Sequence, residues 1–125
     1  MNVLLVEDDQ WVSECYKAWL QEAGFSVLTA RDPQEALDVL DSVPCDVIVL
    51  DLLLPGANGV QLLSLLASHS DLMNIPVVIC SSAIPQADIE WSAYGVAAVL
   101  SKTDVMPQAF IKKITEVGTH AVRTR

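Results

Sequence analysis

Two apolar runs in this chain stop abruptly at carboxylates. Residues 47–50 read Val-Ile-Val-Leu and end on Asp51; residues 2–6 read Asn-Val-Leu-Leu-Val and end on Glu7, Asp8 and Asp9. Runs of this length and type are strands buried on both faces, so each acid falls where a strand meets a loop. In open α/β sheets that carboxyl end is where ligands bind. If the two strands are parallel neighbours, four carboxylates gather at one end of the sheet. Carboxylates that close repel one another unless a cation lies among them. Oxygen-only donors in an open geometry suit Mg²⁺.

The elements that must position these acids alternate along the chain. After the first strand, Val12, Cys15, Tyr16, Trp19, Leu20 and Ala23 recur at helical spacing, and Gly24 ends that helix. Residues 25–29 are a second strand. Asp32, Pro33 and Glu35 supply the N-cap, first-turn proline and N3 acid of a second helix, with Ala36, Leu37 and Leu40 inward and Pro44 as its stop. Asn58 caps a third helix with Leu62, Leu63, Leu65 and Leu66 inward. Residues 75–80 form the fourth strand, with Pro76 near its start. A shorter helix follows around residues 88–94, ended by Gly95. Residues 97–100 are the fifth strand. Pro107 opens the last helix, which turns Phe110, Ile111, Ile114 and Val117 inward. Five such units demand a parallel sheet with helices on both faces. Residues 118–125 lose the apolar period, as a frayed helix end or the start of a linker would.

With 125 residues, 52% of them hydrophobic, the chain makes one domain with a real core. A net charge of −9 argues against a nucleic-acid-binding surface and fits a partner with basic groups or a solvated acidic surface. Cys15, Cys45 and Cys80 are odd in number and form no C-x-x-C pair, which speaks against zinc or a thioredoxin-like site; Cys80 reads as a small buried hydrophobe. Strand residues and acids follow Met1 at once, so no signal peptide is expected, and no run reaches membrane-spanning length. A reducing, cytoplasmic setting is expected.

Two further strand ends carry polar groups: Ser81 and Ser82 after the fourth, and Ser101, Lys102 and Thr103 after the fifth. Four groups at four strand ends, in this order and over nearly the whole chain, resemble the receiver domain of bacterial two-component response regulators. The resemblance implies a flavodoxin-like, doubly wound five-stranded parallel sheet in the order 2-1-3-4-5. It implies that Asp51 accepts a phosphoryl group. Asp8 would bind Mg²⁺ directly, Glu7 through water, and the carbonyl of Leu53 would add a protein ligand. Ser81 would sense the phosphoryl group and Lys102 would contact its oxygens; Pro55 and Gly59 match the family's loop. The receiver domain would span residues 1–118, with 119–125 a C-terminal tail or linker.

The chemistry stands without the family. A carboxylate oxygen can attack phosphorus in line. The transferred group spreads charge over its equatorial oxygens, which Mg²⁺ and a lysine neutralise. A serine that reaches the product only if its loop moves inward makes a two-state element. Each residue also has a plainer reading. A strand-end Asp can be a helix cap, and Asp9 is read as the start of the first helix rather than as a ligand. Lys102 alone would be a solvated lysine, and Ser82 a turn or cap residue. His69 and His120 read as surface residues.

Three departures from the family pattern stand out. Thr103 follows Lys102 where the family usually has proline, at a bond that is commonly cis. A non-proline cis bond costs about 2.5–4 kcal/mol, so either the bond is trans and the loop differs or the strain is kept. Val99 occupies the position of an aromatic switch residue, for which Trp91 and Tyr94 are substitutes or else core residues. Leu53 and Ala83, apolar and two residues beyond Asp51 and Ser81, would position an attacking water poorly, so the acyl phosphate should be long-lived.

The expected function is a phosphorylation-dependent switch. A sensor histidine kinase or phosphotransfer protein would donate to Asp51, in a domain that catalyses its own acceptance and slow loss of the group without being a conventional enzyme. The output surface would be the fourth helix, fifth strand and fifth helix, through partner binding or a homodimer, with neither nucleic acid nor membrane contacted. The alternative is a receiver-shaped interaction module that signals without phosphorylation. No G-x-G-x-x-G, P-loop or G-x-S-x-G sequence supports a nucleotide-binding or hydrolase domain.

Overall fold

The computed structural model describes residues 1–54, 57–82 and 89–123; of Ala57 and Asn58 it describes the backbone. In chain order the elements are β1 (Asn2–Val6), α1 (Gln10–Glu22), β2 (Ser26–Ala30), α2 (Pro33–Ser42), β3 (Val47–Leu50), β4 (Leu53–Leu54), β5 (Ala57–Asn58), α3 (Gly59–Ala67), β6 (Val77–Ser81), a 3₁₀ turn (Trp91–Tyr94), β7 (Val96–Ser101) and α4 (Pro107–Arg123). The main sheet runs β2-β1-β3-β6-β7, all parallel, which is the expected 2-1-3-4-5 order once the short β4–β5 ladder is set apart. That ladder is antiparallel and directly follows Asp51.

Strand alternation divides the core in two. Leu4, Val6, Ile48, Leu50, Val77 and Ile79 face Ala36, Leu40, Leu62, Leu63 and Leu66 of α2 and α3. Val3, Leu5, Val47, Val49, Val78 and Cys80 face Tyr16 and Leu20 of α1 and Phe110 and Ile114 of α4. Each such side chain taken fully from water contributes about 1.5–3 kcal/mol. On the second face Tyr16 lies 5.1 Å from Trp19 and 4.9 Å from Phe110 between ring centres, and accepts a hydrogen bond from Cys80 Sγ at 3.5 Å.

The helix ends follow local chemistry. Asp9 Oδ1 caps α1 by accepting from the Val12 N–H at 3.1 Å. Gly24, at φ +96°, closes that helix: its N–H donates to Gln21 O and the Phe25 N–H to Leu20 O, both at 3.0 Å. At α2, Asp32 Oδ1 accepts from the Glu35 N–H at 2.8 Å and Glu35 Oε2 from the Arg31 N–H at 2.9 Å.

Three expectations change. Leu65 is 40% exposed, because Leu62, Leu63 and Leu66 already fill the inward face of α3. Among the described residues the shorter helix expected over 88–94 is only the turn at Trp91–Tyr94, closed by Gly95 at φ +76°; Asp88 lies outside them. Chain past Gly118 does not fray at once. α4 continues to Arg123, with Gly118 buried against Met1 and Val47, because losing the apolar period leaves a last turn solvated without breaking it. His69 and His120 are exposed. No described helix is long and apolar enough to cross a membrane.

Candidate functional site

The ends of β1, β3, β6 and β7 converge because the ladder runs one residue beyond the strands. The Glu7 N–H donates to Ala30 O, the Asp51 N–H to Val6 O and the Lys102 N–H to Ser81 O, at 3.0, 3.0 and 3.1 Å. Backbone pairing thus fixes each residue before its side chain makes any contact. Alternation sets the directions. Glu7 continues the parity of Val3 and Leu5, Asp51 that of Val47 and Val49, and Lys102 that of Ala98 and Leu100, all on the α1/α4 side of the sheet.

Those three side chains meet. Lys102 Nζ lies 2.7 Å from Glu7 Oε2 and 2.9 Å from Asp51 Oδ2. Asp51 Oδ1 accepts from Ser81 Oγ at 2.7 Å and from the Leu53 N–H at 3.1 Å. Glu7 Oε1 accepts from the Asp9 N–H at 3.1 Å. Glu7, Asp51 and Ser81 are buried, whereas Asp8 is exposed. An open cleft of about 450 Å³ above them is lined by Glu7, Asp8, Asp9, Asp51, Leu53, Leu54, Ser82 and Lys102.

Burial pushes the Glu7 carboxyl up to about 7, against the hydrogen bond from Lys102 and with help from the charge of Asp51. Burial would raise Asp51 as well, but hydrogen bonds from Lys102, Ser81 and the Leu53 N–H outweigh it and hold this carboxyl below its usual range. For Lys102 burial favours the neutral amine, yet its bonds to Glu7 and Asp51 prevail and raise its pKa. At neutral pH the pocket therefore holds a charged lysine, an ionised Asp51 and a Glu7 near its midpoint.

Glu7, Asp8 and Asp51 each offer a carboxylate oxygen, and these atoms lie within 4.8 Å of one another. An all-oxygen set with more negative than positive charge fits a hard divalent cation.

All six residues singled out in the sequence, Glu7, Asp8, Asp51, Leu53, Ser81 and Lys102, lie at this cleft or directly beneath it. Asp9 lines its rim while capping α1. Ser81 differs from expectation: it needs no inward loop movement to reach Asp51, because it is the last residue of β6 and is already bonded there. The sequence does not announce the direct Glu7–Lys102 ion pair, because strand parity sets only the side of the sheet and not the register that brings the two ends together. Ser82, read only as a turn or cap residue, also lines the cleft. The Lys102–Thr103 bond is trans, since no described peptide bond is cis. Val99 and Trp91 pack half-buried against the α2/α3 side of the core, and Tyr94 is 36% exposed. Pro55 and Ala83 lie outside the described residues.

Residues 3–115 match the response regulator receiver domain family. Response regulator RR06 of Streptococcus pneumoniae is 34% identical over 82 residues, which is 66% of this chain and 36% of that protein. The transcriptional regulatory protein CpxR of Escherichia coli is 39% identical over 65 residues, 52% of this chain and 28% of that protein. The matches thus span about a third of these relatives' length. Among solved structures, the Francisella response regulator 1452 receiver domain superposes with a TM-score of 0.84 at 28% identity, covering 99% of this chain and 98% of that one. The chemotaxis response regulator CheY4 of Vibrio cholerae gives 0.83 at 27% identity, covering 93% and 97%. Domains of this family signal by phosphorylation and generally bind Mg²⁺ at an acidic pocket, and this chain carries an acidic cluster of Glu7, Asp8 and Asp51. With that cluster at the carboxyl end of a five-stranded parallel sheet, the chain belongs to the response regulator receiver domain family.

Proposed function

We propose that Asp51 is the phosphoryl acceptor and that a histidine kinase, directly or through a phosphotransfer protein, is the donor. A carboxylate oxygen of Asp51 attacks phosphorus, the P–N bond to the donor imidazole breaks, and an acyl phosphate forms. The observation that carries this reading is the double anchoring of Asp51. Ser81 holds Oδ1 and Lys102 holds Oδ2, so the nucleophile is fixed, ionised and within reach of a cation that can move to the transferred oxygens. Asp8, Asp51 and the Leu53 carbonyl would hold Mg²⁺, with Glu7 reaching it through water. When bound, Mg²⁺ supplies positive charge against the phosphoryl oxygens and the flanking carboxylates. Lys102, released from Asp51 Oδ2, then pairs with a phosphoryl oxygen while Glu7 retains it at the site.

Loss of the group is slow in this reading. Leu53 is 54% exposed beside the cleft, and its apolar side chain offers an incoming water no hydrogen bond. Output passes to the surface around Trp91–Tyr94, β7 and α4, through a protein partner or a second copy. Three free cysteines and the absence of a membrane-length helix among the described residues accord with a cytoplasmic setting.

Incubation with acetyl phosphate, with and without Mg²⁺, followed by intact mass, tests the proposal. One added phosphoryl group that requires both Mg²⁺ and Asp51, absent from Asp51→Asn, is the expected result. No adduct at early times, with Mg²⁺ binding confirmed, would leave the phosphorylation-independent interaction module as the reading.

A further inference from the structure

Lys102 must hold a flexible side chain of four torsions across two carboxylates, and the main chain that carries it has no proline to fix it. The residues on either side are both hydroxylic. Ser101 Oγ and Thr103 Oγ1 lie 2.9 Å apart, a hydrogen bond that spans Lys102. Below it the Ser101 carbonyl accepts the N–H groups of Asp104, at 3.2 Å, and Val105, at 3.0 Å. The Lys102 N–H is tied to Ser81 O. Ser101 is thus held by a carbonyl that accepts two hydrogen bonds and a hydroxyl that shares one with Thr103, and β-branched Thr103 enters the clasp with few χ1 options.

We infer that Thr103 is a positioning residue for Lys102: its hydroxyl, bonded to that of Ser101, fixes the turn from which the ammonium reaches Asp51 and Glu7. The inference rests on the proposed role of Lys102 at the transferred phosphoryl group. Thr103 is exposed and contributes no core packing, so the effect of losing its hydroxyl belongs in the chemistry at Asp51 rather than in folding. A single neutral hydrogen bond corresponds to roughly 3–10-fold in rate.

The test compares wild type, Thr103→Val, Thr103→Ser and Ser101→Ala. Maximal rate and half-saturating acetyl phosphate are read by intact mass with Mg²⁺, the Lys102 ¹⁵Nζ resonance by NMR without phosphodonor, and the unfolding midpoint in urea. Expected is a roughly 3–10-fold lower maximal rate for Thr103→Val and Ser101→Ala, little change in half-saturation, a Lys102 resonance moved toward that of solvated lysines, and an unchanged urea midpoint. Thr103→Ser restores both rate and resonance. A wild-type rate and resonance in Thr103→Val, while Asp51→Asn still abolishes the adduct, overturns the inference and leaves the phosphoacceptor reading intact. A rate loss that only follows a lower urea midpoint also overturns it. If wild type forms no adduct, the phosphoacceptor reading fails instead, and the Lys102 resonance alone decides: moved in Thr103→Val it supports the clasp, unmoved it overturns it.

Discussion

Ser81 Oγ donates to Asp51 Oδ1 at 2.7 Å from a fully buried position at the end of β6. The hydroxyl therefore acts on the proposed acceptor in its unmodified state, by holding the carboxylate ionised and in one orientation. Ser81→Ala should slow adduct formation from acetyl phosphate by roughly 10–150-fold, the range for a hydrogen bond to a charged group. Ser81→Thr, which keeps the donor, should stay within a few-fold of wild type. Time courses of intact mass decide, and an alanine variant as fast as wild type would exclude this role.

Glu7 gives the metal-free protein a pH dependence of definite sign. Its carboxyl titrates near 7 in the folded chain against an ordinary 4.5. Between those values the folded state holds the extra proton, so this contribution to stability is complete at low pH and is lost as pH rises through about 7. Asp51, shifted the other way, acts only in the acid range below its ordinary 3.8. In EDTA, wild type should lose about 1–3 kcal/mol between roughly pH 5 and pH 8 that Glu7→Gln does not lose. Urea titrations across that range check it; parallel curves for the two proteins would contradict it.

Gly59 begins α3 directly against the backbone of Asp51 and Leu52. A Cβ there would lie 2.8 Å from the Asp51 carbonyl oxygen and 2.9 Å from Leu52 Cα, neither of which can step aside as a side chain would. Gly59→Ala should cost about 1–3 kcal/mol in urea unfolding and also slow phosphorylation, because Asp51 is what moves. Gly24→Ala is the control: its Cβ would meet nothing within 4 Å, so it should show the penalty of a left-handed backbone with no effect at Asp51. Equal loss of phosphorylation in both would refute the local explanation.

Leu53 stands at the mouth of the cleft with its side chain in solvent. The acyl phosphate on wild type should persist for minutes or longer after the donor is removed, and Leu53→Asn, which can align a water, should shorten its life by roughly 3–10-fold. Decay of the phosphorylated mass reads both. A wild-type lifetime of seconds, or an Asn variant that decays no faster, removes this role from Leu53.

The sheet and the convergence of its strand ends were legible because they depend on local patterns. β1 and β3 announce themselves as apolar runs, and Asp32 with Glu35 is a cap pair that acts within four residues. Leu65 was misread because four leucines within five positions leave no period to select the inward face. The β4–β5 ladder was invisible at two residues per strand, too short for alternation to register. The seating of Ser81 on Asp51 and the Glu7–Lys102 pair were not legible because each depends on a register between strands distant in sequence, set by the crossovers rather than by any motif.

Glu7, Asp51, Ser81 and Lys102 stand at the ends of four different strands, and Lys102 arrives only with β7, the last strand and an edge of the sheet. A piece of the chain that ends before β7 lacks Lys102. Parallel strands pair only after long crossovers close, which makes their joining late and cooperative. A nascent or partly unfolded chain would thus present Asp51 without its lysine, as a poor nucleophile with an uncompensated charge. Phosphorylation would then count only completed molecules, and the extent of modification would report the folded fraction of a sample without any spectroscopic probe.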